Sequence, residues 1–407
     1  MDGATVLSEG ARVLLHDLRG TPPLTRAQVG DRTGWSRGTV NARLDELIGA
    51  GLLRECGLVE GARGRPAVLF SINPDAGDLL VGHIGASGAQ LARCDLTGGI
   101  LARESVALDV GAGPEVVLGL LEERFAVLRA DVERPLWGVA VGLPGPVHFP
   151  TGRVVSPPIM TGWDGFDVPG RLGATFEVPV HVENDANAMA WGERCLAPEP
   201  GPDDLLFVKV GTGVGAGIVA NGRILRGAQG AAGDLGHTFV DAGEDGPPPL
   251  CRCGKSACLE AYAGGWAIAR DLGDLGDGRP RTALDVVALL RAGDARAIQR
   301  VRAAGRVLGV GLAQAVSLLN PSEIVVGGPL AAAGGEHLLA GIRQHVAARS
   351  LPLATQDLRI RVTRHGDDVG PVGLADALAA RLFEPDTLAR VLSRGTGGLV
   401  PAAPVGG

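Results

Sequence analysis

Cys251, Cys253 and Cys258 fall within eight residues, and His237 stands upstream of them. One imidazole and three thiolates make a closed Cys3His set. This is the four-coordinate type of structural zinc, with no position left for a reactive water. The alternative is a group of incidental buried or redox-active thiols, but the tight C-x-C-x4-C spacing favours metal in a reducing compartment. The other cysteines, Cys56, Cys94 and Cys195, read as buried thiols. Six cysteines in 407 residues exclude a disulfide scaffold.

A second group is Glu183-Asn184-Asp185-Ala186-Asn187, which closes the apolar run VPVHV. A carboxylate at the C-terminal edge of a strand is placed to act as a general base on a hydroxyl. The alternative for Asp185 is a cap on the helix that follows. Val210–Gly217 reads VGTGVGAG, with glycine at 211, 213, 215 and 217. Bare amides in such a turn can wrap phosphate oxygens, although many hairpins carry similar runs. His148 and His181 read as ordinary strand-end or core histidines. Trp163, in PPIMTGWDGF, either packs beside the candidate binding residues or serves as a hydrophobic anchor.

A third group lies near the N-terminus. Thr25 is placed to cap a short helix to about Arg32, Gly34 suits a tight turn, and Ser36 caps a second helix from Arg37 to about Ala50. Val40, Leu44, Leu47 and Ile48 follow helical spacing and face inward, leaving Arg37, Thr39, Asn41 and Arg43 largely on the other side. This predicts a helix-turn-helix whose second helix enters the major groove. Leu52–Arg54 and Ala67–Ser71 flank Gly61-Ala62-Arg63-Gly64-Arg65-Pro66 as the strands of a wing. Its Arg63 and Arg65 can reach phosphates or the minor groove. Residues 24–66 hold seven Arg against five acids, which is weakly basic, and the alternative use is protein contact or dimerisation. The candidate DNA contacts are Ser36, Arg37, Thr39, Asn41, Arg43, Arg63 and Arg65.

The elements that must position these groups divide the chain near Pro74. Residues 1–74 read as the winged helix. Residues 75–383 read as apolar strands alternating with helical stretches such as Pro114–Arg129, Thr282–Leu319 and His337–Arg349, an α/β pattern. Residues 384–407 read as a partly disordered tail, Gly/Pro-rich at its end. The composition is globular, with 45% hydrophobic and 20% charged residues, and a net charge of -7 argues against general polyanion binding. No apolar run reaches the ~18 residues of a membrane span, and MDGATVLSEG is no signal peptide, so a cytoplasmic location without membrane partners is expected.

ENDANA, GTGVGAG, GRILRGAQGAAGDLGH and CRCGKSACLE, in that order, resemble the ROK family of repressors and sugar kinases. The winged helix with Gly64-Arg65-Pro66 resembles that of the family's repressor branch. The resemblance implies an actin/hexokinase-like fold of two α/β lobes around a cleft, assembled as homodimers or homotetramers. By the same resemblance, Asp185 is the catalytic base, vestigial or active. Asn184, Asp234, Glu260 and Gly145 belong to the sugar side, and His237 both binds zinc and orients the sugar site. Gly211, Thr212 and Gly213 form a phosphate loop, and Gly327-Gly328 an adenosine-side turn.

The sequence departs from the family's kinases in two places. Their first strand opens Asp-x-Gly-Gly-Thr, where this chain has His83-Ile84-Gly85-Ala86-Ser87. Imidazole is a poor magnesium ligand, and Ala86 adds a Cβ where phosphates approach. Phosphoryl transfer depends on positioning and charge neutralisation, so the loss should be severe. Asp234 stands where Glu is usual, with a shorter reach. The expectation is a DNA-binding regulator of carbohydrate genes, a repressor of operator DNA that responds to a sugar or sugar phosphate. The alternatives are a working hexose kinase using Mg-ATP, and a regulator acting through a partner protein.

Overall fold

The computed structural model describes residues 6–59, 66–198, 201–243, 247–275 and 278–393. Ser8 caps the helix Glu9–Leu18 by accepting from the Ala11 amide. Thr25 and Gln28 make a reciprocal capping box on the helix Arg26–Thr33, which ends at Gly34 in left-handed backbone. Ser36 caps the helix Arg37–Gly49. Strands Leu53–Val59 and Ala67–Ile72 pair antiparallel, and Leu24–Thr25 joins the outer side of the second. Both helices and the turn fall where the spacing placed them. The wing tip, with Arg63 and Arg65, lies outside the described residues.

Two α/β lobes follow, built on one plan. In the first, Asp78–Ile84, Gly88–Asp95 and Ile100–Ala107 form an antiparallel meander. Leu136–Leu143 and Val180–Asn184 then add in parallel beyond its first strand. In the second, Leu205–Val210, Val214–Ala220 and Arg223–Ile224 form the meander, and Glu323–Gly327 and Arg359–Val362 add in parallel. The strands Asp78–Ile84 and Glu323–Gly327 are buried at every residue because helices cover both sheet faces.

Each lobe ends in a helix that crosses to the other lobe. Asp185–Leu196 packs on second-lobe strands, and Val369–Leu382 on first-lobe strands. The two helices meet backbone to backbone. A Cβ at Gly192 would lie 1.7 Å from the Val369 carbonyl oxygen, and one at Gly373 would lie 1.9 Å from that of Ala188. Only glycine permits so close a crossing.

The expected stretch Thr282–Leu319 is two helices, Ala283–Arg291 and Ala295–Leu319, because Asp294 caps a fresh start. Within the expected tail, Pro385–Ser393 is a helix that buries Leu388, Val391 and Leu392, partly against Glu9–Leu18. One apolar core runs from Leu14, Leu47 and Phe70 of the winged helix through Leu374 and Leu378 to Phe383 and Leu388. Among the described residues, no helix is long and apolar enough to cross a membrane.

Candidate functional site

The cleft between the lobes is organised by the end of the strand Val180–Asn184. Asn184 Oδ1 accepts the amides of Ala186 and Asn187 at 3.0 and 3.1 Å, and Asn184 Nδ2 donates to the Gly145 carbonyl at 3.1 Å. The helix cap considered for Asp185 therefore belongs to Asn184. Asp185 becomes the first helical residue, and its carboxylate is ion-paired with the Lys209 ammonium. Its neighbour Glu183 is buried in an ion pair with Arg226 at 2.7 Å and also accepts from Asn187 Nδ2 at 3.1 Å.

His83 ends up against the same corner, with Nε2 3.3 Å from the Asp185 carbonyl oxygen. Burial, and then the charge of Lys209, push its imidazole down to about 4, so it is neutral at pH 7. Sequence reasoning gave no role to Lys209, Glu183 or Arg226. The one available signal was Lys209 itself, one of two lysines in the chain and two residues ahead of the Gly211-Thr212-Gly213 turn.

That turn joins Leu205–Val210 to Val214–Ala220, and its Gly211 and Thr212 carbonyls accept the amides of Gly265 and Trp266 at 2.9 and 3.0 Å. Glu260 is fixed at both oxygens, by the Val214 amide at 2.9 Å and the Trp266 indole at 3.0 Å. Gly145, Asn184, Asp185, Asp234, His237 and Glu260 line one cavity of about 240 Å³, together with Thr212, Gly213, Lys209, Arg252 and Trp266. Gly211, Gly327 and Gly328 are not among its lining residues. A Cβ at Gly327 would meet the Phe207 ring at 2.3 Å, so that glycine serves strand packing.

His237, Cys251, Cys253 and Cys258 converge, their ligand atoms all within 4.8 Å of one another. Cys251 Sγ lies 3.6 Å from His237 Nδ1, and Cys253 Sγ lies 3.7 Å from Cys258 Sγ. A tetrahedral ion with bonds of about 2.3 Å to sulfur separates its ligands by about 3.8 Å, so this donor set fits a metal ion such as zinc. Cys258 begins the helix Leu259–Ala263 that carries Glu260, and His237 is shared between the cluster and the cavity wall.

Two other expectations are corrected. Cys56 and Cys195 are exposed, Cys56 because its strand turns almost wholly to solvent. Cys94 is buried, which pushes its thiol up to about 12. Trp163 is a first-lobe core anchor, buried with its indole on the Val110 carbonyl at 3.0 Å. His181 is buried as expected, and His148 ends a short strand and bonds Thr151 at 2.8 Å.

In the helix-turn-helix, Ser36, Arg37 and Thr39 are exposed. Asn41 is half-buried and accepts from Arg26 at 3.1 Å. Arg43 is turned away from the free face. It donates to Ser8 Oγ at 2.8 Å and pairs with Glu46 at 2.9 Å, tying this helix to Glu9–Leu18. Its partners lie within the winged helix, and its side chain stays 34% exposed.

The sequence profile of the ROK family matches residues 83–381, and that of winged helix-turn-helix DNA-binding domains matches residues 14–54. The chain belongs to the ROK family. This ROK protein is 27% identical over 362 residues to the xylose repressor of Caldicellulosiruptor bescii, covering 84% of this chain and 88% of that one. It is 37% identical over 251 residues to the glucokinase of Halalkalibacterium halodurans, covering 58% and 74% respectively. A crystal structure of a ROK family transcriptional regulator, a homolog of the E. coli MLC protein, superposes with a TM-score of 0.75 at 26% identity. That match covers 95% of this chain and 98% of the other.

Proposed function

We propose that this ROK protein is a sugar-responsive transcriptional regulator, a repressor whose winged helix binds operator DNA and whose cleft binds the effector. The observation that carries this reading is a DNA-binding winged helix that shares one apolar core with the first-lobe sheet and the crossing helix Val369–Leu382. The kinase alternative is disfavoured where His83 and Lys209 meet Asp185. A neutral imidazole offers magnesium nothing like a carboxylate, and the candidate base is already paired with an ammonium. The site residues are proposed as follows: Asp185, Asn184, Asp234 and Glu260 bind the sugar, and Ser36, Arg37 and Thr39 face DNA. His237, Cys251, Cys253 and Cys258 hold a structural zinc, which would fix the Glu260 helix against the cavity wall. A homodimer would present two winged helices to a pseudo-palindromic operator.

Coupling between the sites has a physical route. The helix that starts with Asp185 also carries Trp191, whose indole donates to Asp376 at 2.7 Å. Arg19 of the winged helix pairs with the same carboxylate at 2.8 Å and donates to the Asp376 carbonyl at 2.7 Å. Effector binding shifts the equilibrium only if it favours one lobe arrangement, and this helix pair transmits that arrangement. The test combines sugar calorimetry with operator binding. Arg19→Ala should keep sugar affinity yet lose most of the sugar-dependent change in operator affinity. An unchanged sugar response in that variant removes the route, and a wild type that binds no operator DNA removes the regulator.

A further inference from the structure

The inner wall of the cleft carries a charge arrangement that bears on what the effector can be. Lys209 stands on the strand Leu205–Val210, and its ammonium is paired with Asp185. The side chains are 17% and 7% exposed, so neither charge is well screened by water. His83, beside them, is buried and sits on the Asp185 carbonyl. Asp234 and Glu260 add two more carboxylates to the cavity wall. Among the described lining residues the other cationic side chain is Arg252, which is exposed and stacked 4.9 Å from the Trp266 ring centroid.

A phosphate ester at the Asp185 corner would bring close to two negative charges to a place whose cation is already matched by a carboxylate. A hydroxyl brings none, and it satisfies both partners at once. It donates to the Asp185 carboxylate and accepts an N–H of Lys209, whose ammonium has three donors.

We propose that Lys209 determines specificity, holding one hydroxyl of an uncharged, unphosphorylated sugar jointly with Asp185. This rests on the reading of the cleft as a sugar receptor. It makes the aspartate part of a recognition pair rather than a base.

The experiment is calorimetry on the full chain with D-glucose, D-xylose, N-acetylglucosamine and N-acetylmannosamine, each beside its terminal phosphate ester. One free sugar is expected to bind, with its ester at least about tenfold weaker. A lost charge-assisted hydrogen bond should weaken that sugar about 10- to 100-fold in Lys209→Met, and Lys209→Arg should recover part of the loss. The double variant Lys209→Met/Asp185→Asn leaves no lone buried charge, and it serves if the single variant does not fold; it should be at least as weak. An ester that binds as tightly as its free sugar, or a Lys209→Met or double variant of wild-type affinity, overturns the proposal and leaves the receptor reading standing. If all eight compounds give no heat, the receptor reading itself falls, and the proposal with it.

Discussion

Asp185 reads in the sequence as a general base, yet in the fold it is half of an ion pair, while its neighbour Asn184 does the capping. Single-residue chemistry is decided by such neighbours, and two consequences are measurable. Burial, offset only in part by nearby Glu183, pushes the His181 imidazole from its ordinary 6.5 down to about 4. Between those values the unfolded chain binds the extra proton. The stability of the neutral buried ring is therefore present above pH 6.5 and is lost as pH falls toward 4. The urea midpoint should drop across that window, and drop less in His181→Asn; an identical slope would place the acid sensitivity elsewhere. On the winged helix, exposed Arg37 is the test of the DNA face. Arg37→Ala should weaken operator binding and reduce the salt slope by about 1, measured by titration at several salt concentrations.

At the scale of elements, the thiolate cluster and the glycine crossing each fix a piece of the cleft. Cys253→Ser should lower bound zinc from about one equivalent to near zero by elemental analysis. It should also lower Tm, because metal binding of this kind contributes folding free energy. Sugar affinity should fall with it, since Cys258 starts the helix that presents Glu260. Gly192→Ala drives a methyl group into the Val369 carbonyl, so the two crossing helices must separate. A destabilisation of at least about 2 kcal/mol by chemical denaturation is expected, typical of overpacking a tight contact. A neutral result would mean that the crossing is looser than its backbone spacing implies.

For the whole molecule, the tail helix Pro385–Ser393 matters because it closes the core common to the winged helix, the first lobe and the crossing helix Val369–Leu382. Deleting residues 385–407 removes Leu388, Val391 and Leu392 from that core. The deletion should lower Tm by several degrees and loosen the winged helix first, seen as early loss of amide protection in Glu9–Leu18. Uniform loss of protection across both lobes would instead assign the helix a general stabilising role.

Local chemistry was legible in the sequence. Thr25, Gly34 and Ser36 marked the helix-turn-helix because caps and tight turns depend on residues a few positions apart, and the spacing of Cys251, Cys253 and Cys258 marked the thiolate cluster for the same reason. The motifs around Asp185 carried the family resemblance, and that resemblance implied the two-lobed architecture. What needed the tertiary structure was every contact between distant segments. These are the pairing of Lys209 with Asp185, the turning of Arg43 onto Ser8, the repeated plan of the two lobes, and the Trp191–Asp376–Arg19 junction. Each joins segments that lie tens to hundreds of residues apart, and side-chain pairing over such separations leaves no period or spacing along the chain.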